Sequence, residues 1–170
     1  AAREYINQIK TAGNSLLTII NDILDFSKIS AGKMDINMVE YEPLSSMNDI
    51  TNIIMTRIGT KNLELIVDYD PNIPYQLMGD NIRIKQVVMN LANNAVKFTR
   101  GGRVSVKISY TQKSERVIIL HFSVDDTGIG IKEEDMEKLF QSFQQVDSKR
   151  NRNIEGSGLG LAISKQLVAL

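Results

Sequence analysis

The sequence predicts an α+β fold: a two-layer α/β sandwich, one helical layer on one mixed sheet, with a long helix in front of it. Three observations predict this. Apolar residues recur three and four apart over residues 1–29, the spacing of a helix that buries one stripe. Beyond Lys33, helical patterns (44–60, 81–98) are interleaved with period-two patterns (63–69, 103–111, 116–124). Those strands and helices follow no regular βαβ alternation, which argues against a doubly wound parallel sheet.

The first helix carries Ile6, Ile9, Gly13, Leu16, Ile20 and Ile23 at heptad spacing, widened by Leu17 and Leu24. Such a stripe must be covered, either by its own domain or by partner helices. Gly32 is its expected C-cap, and a domain boundary is expected near Lys33, giving segments 1–32 and 33–170. A short strand is expected over Asp35–Tyr41. The helix from Leu44 to about Thr60 has Ile50, Ile53, Ile54 and Ile58 on one face. Leu63, Leu65, Val67 and Tyr69 alternate as a strand, closed by the turn residues Asp70, Pro71 and Asn72. Asp80 is the expected N-cap of a helix over Asn81–Phe98, with Ile84, Val88, Leu91, Ala95 and Phe98 as its buried stripe. Gly101 and Gly102 lead into a hairpin, Arg103–Thr111 and Arg116–Val124. A short helix near Glu133–Phe143, a polar stretch over 144–155 and a last helix from about Leu159 complete the chain.

Of the 170 residues, 42% are hydrophobic and 24% charged, ordinary values for a globular protein. Twenty basic residues balance twenty acidic ones. A net charge of zero removes the usual electrostatic argument for nucleic acid or an anionic membrane as partner. The lack of cysteine excludes disulfides and thiolate metal sites and fits a cytoplasmic setting. The chain opens inside an amphipathic pattern and closes at Leu170 inside another, so a piece of a longer protein is expected; any membrane anchor would lie outside it.

Three places carry chemistry. On the helix over 81–98, Asn90, Asn94 and Lys97 fall on one flank of the apolar stripe, and Asn93 is expected on the solvent side. Neutral amide oxygens suit Mg²⁺ when phosphates supply the charge, and an ammonium suits a phosphoryl oxygen; polar residues at a helix boundary would look the same. In VIILHFSVDDTGIG, Asp126 ends the apolar face Ile118, Leu120, Phe122 and Val124, while His121, Ser123 and Asp125 take the other face. A carboxylate so placed wants a donor, such as the amine of adenine. Gly128 and Gly130 permit close backbone approach, though a turn after a strand also fits. Finally, Gly156-Ser157-Gly158-Leu159-Gly160-Leu161 opens a helix, where backbone N–H groups favour phosphate. It matches neither the dinucleotide-binding fingerprint nor the P-loop.

Taken together, these stretches resemble one family. Asn90–Thr99 (NLANNAVKFT) is similar to the N box of sensor histidine kinases, Asp126–Ile131 (DTGIGI) to their G1 box, Leu139–Phe143 (LFQSF) to the F box and Gly156–Ile163 to the G2 box, in the family's order. Ile19–Ile29 (IINDILDFSKI) resembles the second stalk helix of such kinases. The resemblance covers nearly the whole chain. It implies a Bergerat-type ATP site, as in gyrase, the Hsp90 chaperones and MutL. Asn90 and Asn94 would hold Mg²⁺ and phosphate, and Lys97 phosphate. Asp126 would bind the adenine amine, with Gly128, Gly130 and Ile131 beside it. Phe140 and Phe143 would anchor a mobile lid over 144–155, and Gly156, Ser157, Gly158, Leu159, Gly160 and Leu161 would close on the phosphates. Arg150 and Arg152 would either reach the terminal phosphate or stay solvated. Where many relatives have Gly and Thr, this chain has Glu155 and Ser157. The first stalk helix, with its phosphoacceptor histidine, and the strands that follow the G2 helix are lacking.

The resemblance therefore implies the ATP-binding catalytic part of a two-component kinase. It would pass the γ-phosphoryl group to a stalk histidine that this chain does not carry. Its partners would be ATP, that stalk helix, a response-regulator receiver domain and a second copy through the stalk. The competing expectation is a nucleotide-dependent interaction module without kinase activity. His121, the only histidine, sits in a strand and is expected to be structural.

Overall fold

The computed structural model describes residues 2–142 and 157–170. In chain order the described elements are α1 (Ala2–Ser30), β1 (Val39–Tyr41), α2 (Pro43–Ile58), β2 (Leu63–Tyr69), β3 (Leu77–Gly79), α3 (Asn81–Phe98), β4 (Gly102–Ser114), β5 (Val117–Asp126), α4 (Glu133–Met136) and α5 (Gly160–Ala169). They fall into two compact units, Ile36–Met136 and the pair of segments Ala1–Asp35 with Glu137–Leu170.

The unit over 36–136 is the expected sandwich. β2, β4 and β5 form a mixed sheet in that order, β2 parallel and β5 antiparallel to β4. β2 and β4 are parallel neighbours, so the chain must cross over between them, and α3 lies in that crossover. The register stacks Leu65 beside Val104, Val67 beside Val106, and Val106 beside Val124. On that face Val104, Val106 and Ile108 are fully buried beneath Met47, Ile50, Ile54 and Ile58 of α2 and Val88, Ala92, Ala95 and Val96 of α3. The opposite face carries polar residues such as Lys107, paired with Asp68 at 3.2 Å. One apolar face and one polar face per strand is what period two produces.

Local chemistry sets the helix ends. Pro43 opens α2, where its missing N–H costs nothing, and Gly59 at φ 53° closes it with a bond to Met55 O. Asp80 caps α3 through Oδ1, which accepts from Arg83 N at 3.1 Å. Its Oδ2 accepts from Asn37 N at 2.9 Å, so both oxygens of this buried carboxylate are satisfied.

Several expectations are corrected. The strand over 35–41 is confined to Val39–Tyr41, and it pairs antiparallel with β3, a strand the sequence does not announce. Three residues are too few to display alternation, and the partner lies far away in the chain. Residues 83–98 of α3 are all buried or half-buried, so the helix has no solvent face for Asn93. Its buried stripe runs through Val88, Ala92, Ala95 and Val96, leaving Ile84, Leu91 and Phe98 half-buried. α4 stops at Met136 instead of reaching residue 143. Glu133, Glu134 and Asp135 favour its first turn, but with Met136 and Phe140 exposed there is no buried face to extend it.

In the other unit, α1 ends as expected. Gly32, at φ 64°, donates to Ile29 O at 2.9 Å and Lys33 N to Lys28 O at 2.8 Å, the paired bonds of a Schellman cap. α5 packs on α1 and buries Leu159, Ala162, Ile163 and Leu167. The heptad stripe of α1 stays exposed, at 72% for Ile9 and 58% for Leu16. Among the described residues, no helix is long and apolar enough to cross a membrane.

Candidate functional site

α3 places Asn90, Asn94 and Lys97 within two turns of one another, all half-buried. Among the described residues the Asn94 amide makes no hydrogen bond. The Lys97 ammonium lies 5.0 Å from the centre of the Phe98 ring, a cation–π distance that holds it at the end of the helix. Asn93 is a residue the sequence reading misplaced: its Oδ1 is buried without a donor among the described residues.

The end of α3 meets the loop that leaves β5. Asp126 is opposite Val104 on the helix-facing side of the sheet, as the alternation predicts. Its side chain remains exposed. Oδ1 accepts from Gly128 N at 2.8 Å and lies 3.4 Å from the hydroxyl of Thr99, a fully buried residue. Oδ2 has no partner among the described residues. One oxygen therefore shapes the loop and the other can accept from an incoming donor. The loop is pinned further by Ile129 N to Phe98 O at 3.4 Å and by Thr127, whose hydroxyl accepts from Arg103 N at 2.9 Å.

This junction needs glycine at 128. A Cβ there would stand 2.6 Å from Phe98 O, 2.7 Å from Asp126 Oδ1 and 2.9 Å from Thr99 Oγ1. Gly130 adopts φ 67°, a conformation other residues rarely hold. Ile131 is largely exposed beyond it. Sequence reasoning gives Thr99, which closes the stretch Asn90–Thr99, no role of its own; its position directly after Phe98, where α3 ends, is the available signal for its contact with Asp126.

The remaining expected site residues lie in the other compact unit. Phe140 is 45% exposed, with the Lys165 ammonium 5.5 Å from its ring centre. Gly158 turns at φ 69°, Leu159 is buried, and Gly160 and Leu161 start α5. The Ser157 hydroxyl donates to Asp22 Oδ2 on α1 at 2.9 Å and accepts from Leu159 N at 3.3 Å. Burial raises the Asp22 carboxyl above its ordinary value; the Ser157 bond opposes this and Asp25 adds to it. Phe143, Gly156, the lid over 144–155 and its Arg150 and Arg152 lie outside the described residues.

His121 is on the exposed face of β5, with Nε2 2.9 Å from Thr111 Oγ1. Among the described residues no cluster of three or more His, Cys, Asp or Glu could hold a metal. The amides of Asn90 and Asn94, a helical turn apart, suit a hard cation that brings its own anionic ligands.

Residues 79–170 match the family model for histidine kinase-, DNA gyrase B- and HSP90-like ATPases. The chain is 42% identical over 165 residues to hybrid signal transduction histidine kinase B of Dictyostelium discoideum, covering 97% of this chain and 8% of that protein. It is 36% identical over 166 residues to the signal transduction histidine-protein kinase BarA of Escherichia coli K12, covering 98% of this chain and 18% of that protein. The chain thus spans under a fifth of these relatives. Among solved structures, full-length ShkA in complex with AMPPNP superimposes with a TM-score of 0.79 at 29% identity, covering 98% of this chain and 33% of that one.

Substituting Gly128→Ala should force the loop away from Phe98 O. The expected loss of folding stability is about 1–3 kcal/mol, the usual range for overpacking, read as a lowered urea midpoint. An unchanged midpoint would mean that the junction yields freely.

Proposed function

The chain belongs to the histidine kinase-, DNA gyrase B- and HSP90-like ATPase family, and we propose that it is the ATP-binding catalytic part of a two-component sensor histidine kinase. Residues 1–32 would be the second stalk helix and 33–170 the catalytic domain. The observation that carries this reading is the junction of α3 with the β5 loop. It sets an open carboxylate oxygen of Asp126 beside the end of a helix whose flank offers Asn90, Asn94 and Lys97. AMPPNP in the ShkA structure supports an adenine nucleotide as ligand.

On this reading Asp126 Oδ2 accepts from the adenine amine, and Gly128, Gly130 and Ile131 line the base. Asn90 and Asn94 hold Mg²⁺, which offsets phosphate charge, and Lys97 faces a phosphoryl oxygen. Phe140 and Phe143 anchor the lid. The backbone of Gly156–Leu161 caps the phosphates at the start of α5, since the N-terminus of a helix favours an anion. A stalk histidine nitrogen outside this chain attacks the γ-phosphorus. An N–P bond forms as the bond to the β–γ bridging oxygen breaks, and ADP leaves with the electron pair. The chain's contribution is position and charge. The phosphoryl group then passes to a receiver domain.

Asp126→Asn keeps an oxygen for Gly128 N but turns an amide donor toward the adenine amine. ATP affinity should fall by about 1–3 kcal/mol, the cost of an unsatisfied polar partner; equal calorimetric affinities would remove Asp126 from the site.

The exposed stripe of α1 is proposed to pair with stalk helices of a second copy. Light scattering at micromolar concentration should give a mass above the 19.1 kDa of one chain. A monomer with α1 still helical would contradict this.

Radiolabelled ATP should leave this chain unlabelled and label an added stalk that carries the acceptor. His121 is tied to the outer face of β5 and cannot reach a near-attack distance of about 3–3.5 Å without dismantling the sheet. Acid-labile phosphate that disappears in His121→Ala would overturn both points.

A further inference from the structure

Ser157 has one hydroxyl proton, and the structure commits it. The proton goes to Asp22 Oδ2 at 2.9 Å, while the oxygen accepts from Leu159 N at 3.3 Å. The acceptor is 135 residues away along the chain. It projects from α1, against which α5 packs. Phosphate oxygens are strong acceptors, yet one proton cannot serve a carboxylate and a phosphate at full strength. A carboxylate facing the turn also opposes an approaching anion.

We propose that Asp22 is a positioning residue of the nucleotide site: it latches the Ser157 hydroxyl onto α1, and phosphate must displace it to bind. The proposal rests on reading Gly156–Leu161 as the phosphate turn. Nucleotide and latch compete for one hydroxyl, so they are linked in both directions. A shift of α1 that withdraws Asp22 strengthens ATP binding, and bound ATP loosens the hold of α1 on the start of α5. Asp22 is thus the point where the stalk helix sets nucleotide affinity without touching the nucleotide.

Calorimetry on this chain with ATP plus magnesium, and with adenosine, tests the latch. Asp22→Ala should tighten ATP roughly five- to tenfold, the net scale of one ordinary hydrogen bond. Asp22→Asn removes the charge but keeps an acceptor oxygen in the same place, so it should tighten ATP less. In a Ser157→Ala background, Asp22→Ala should add nothing. Adenosine affinity should not change in any variant.

The proposal fails if Asp22→Ala binds ATP like the wild type. It also fails if Asp22→Asn gains as much as Asp22→Ala and the gain survives Ser157→Ala, which is plain charge repulsion. A gain for adenosine as well would mark a loosened fold and would equally overturn it. If neither wild type nor variants bind ATP or adenosine, the nucleotide reading has failed first; if both ligands bind and the Asp22 variants are silent, only the latch has.

Discussion

The backbone of residue 128 has to lie against the last turn of α3, and much else follows from that contact. The gap between them admits a hydrogen and no Cβ. Because of it, Asp126 can spend one oxygen on the loop and leave the other open. Among the described residues Asp126 reaches the end of α3 through Thr99, a fully buried residue whose N–H is held by Ala95 O at 3.0 Å. Helix end, strand end and loop therefore constrain one another. A carboxylate aimed by three such restraints is pre-organised, so a donor that binds it need not meet the cost of ordering the loop.

The same junction explains why α3 lacks an ordinary amphipathic pattern. A surface helix shows one apolar stripe and a wide polar face. Residues 83–98 instead have no exposed side at all. Alanines at 92 and 95 let the helix approach the sheet and α2 closely, while Asn90, Asn94 and Lys97 are kept half-buried on a flank. Half-burial leaves less water to screen the Lys97 charge and the amide dipoles. Burial of the Asn93 oxygen without a donor among the described residues costs on the order of 1–3 kcal/mol, offset by the packing of the rest of the helix.

How much of this was legible in the sequence depended on range. Features decided within a few residues were readable: Gly32 as a cap, Asp80 as a cap, the alternation that sends Asp126 inward and His121 outward, the helix over 81–98. Their causes are backbone sterics and side-chain periodicity, which act locally. The pairing of β1 with β3 was not readable, because three-residue strands carry no pattern and each is stabilised only by the other. The rotation of the α3 stripe toward Ala92 and Val96 was missed for a related reason. Leu91 and Phe98 are the larger apolar residues, but alanine fits the closest approach. Of the site, the motifs were legible by resemblance; the contacts of Thr99 with Asp126 and of Asp22 with Ser157 were not, because each joins residues far apart in the chain.

Range also separates the contacts of Asp126 from those of Ser157, each within its own compact unit. At the Asp126 end, the deciding contacts join residues 99 and 126, 27 apart and held by one sheet and one helix. They join an exposed carboxylate to the fully buried Thr99 at the end of α3. At the Ser157 end, the deciding contact spans 135 residues and depends wholly on how α5 lies on α1. The entropy lost in closing so long a loop grows only slowly with length, so the contact can form, and beside it Leu159 N alone among the described backbone groups holds the Ser157 hydroxyl. A small movement of α1 against α5 is enough to break it. On the proposed reading, recognition of the base rests on the contacts of Asp126 with Thr99 and Gly128, and sensitivity to α1 rests on one hydroxyl.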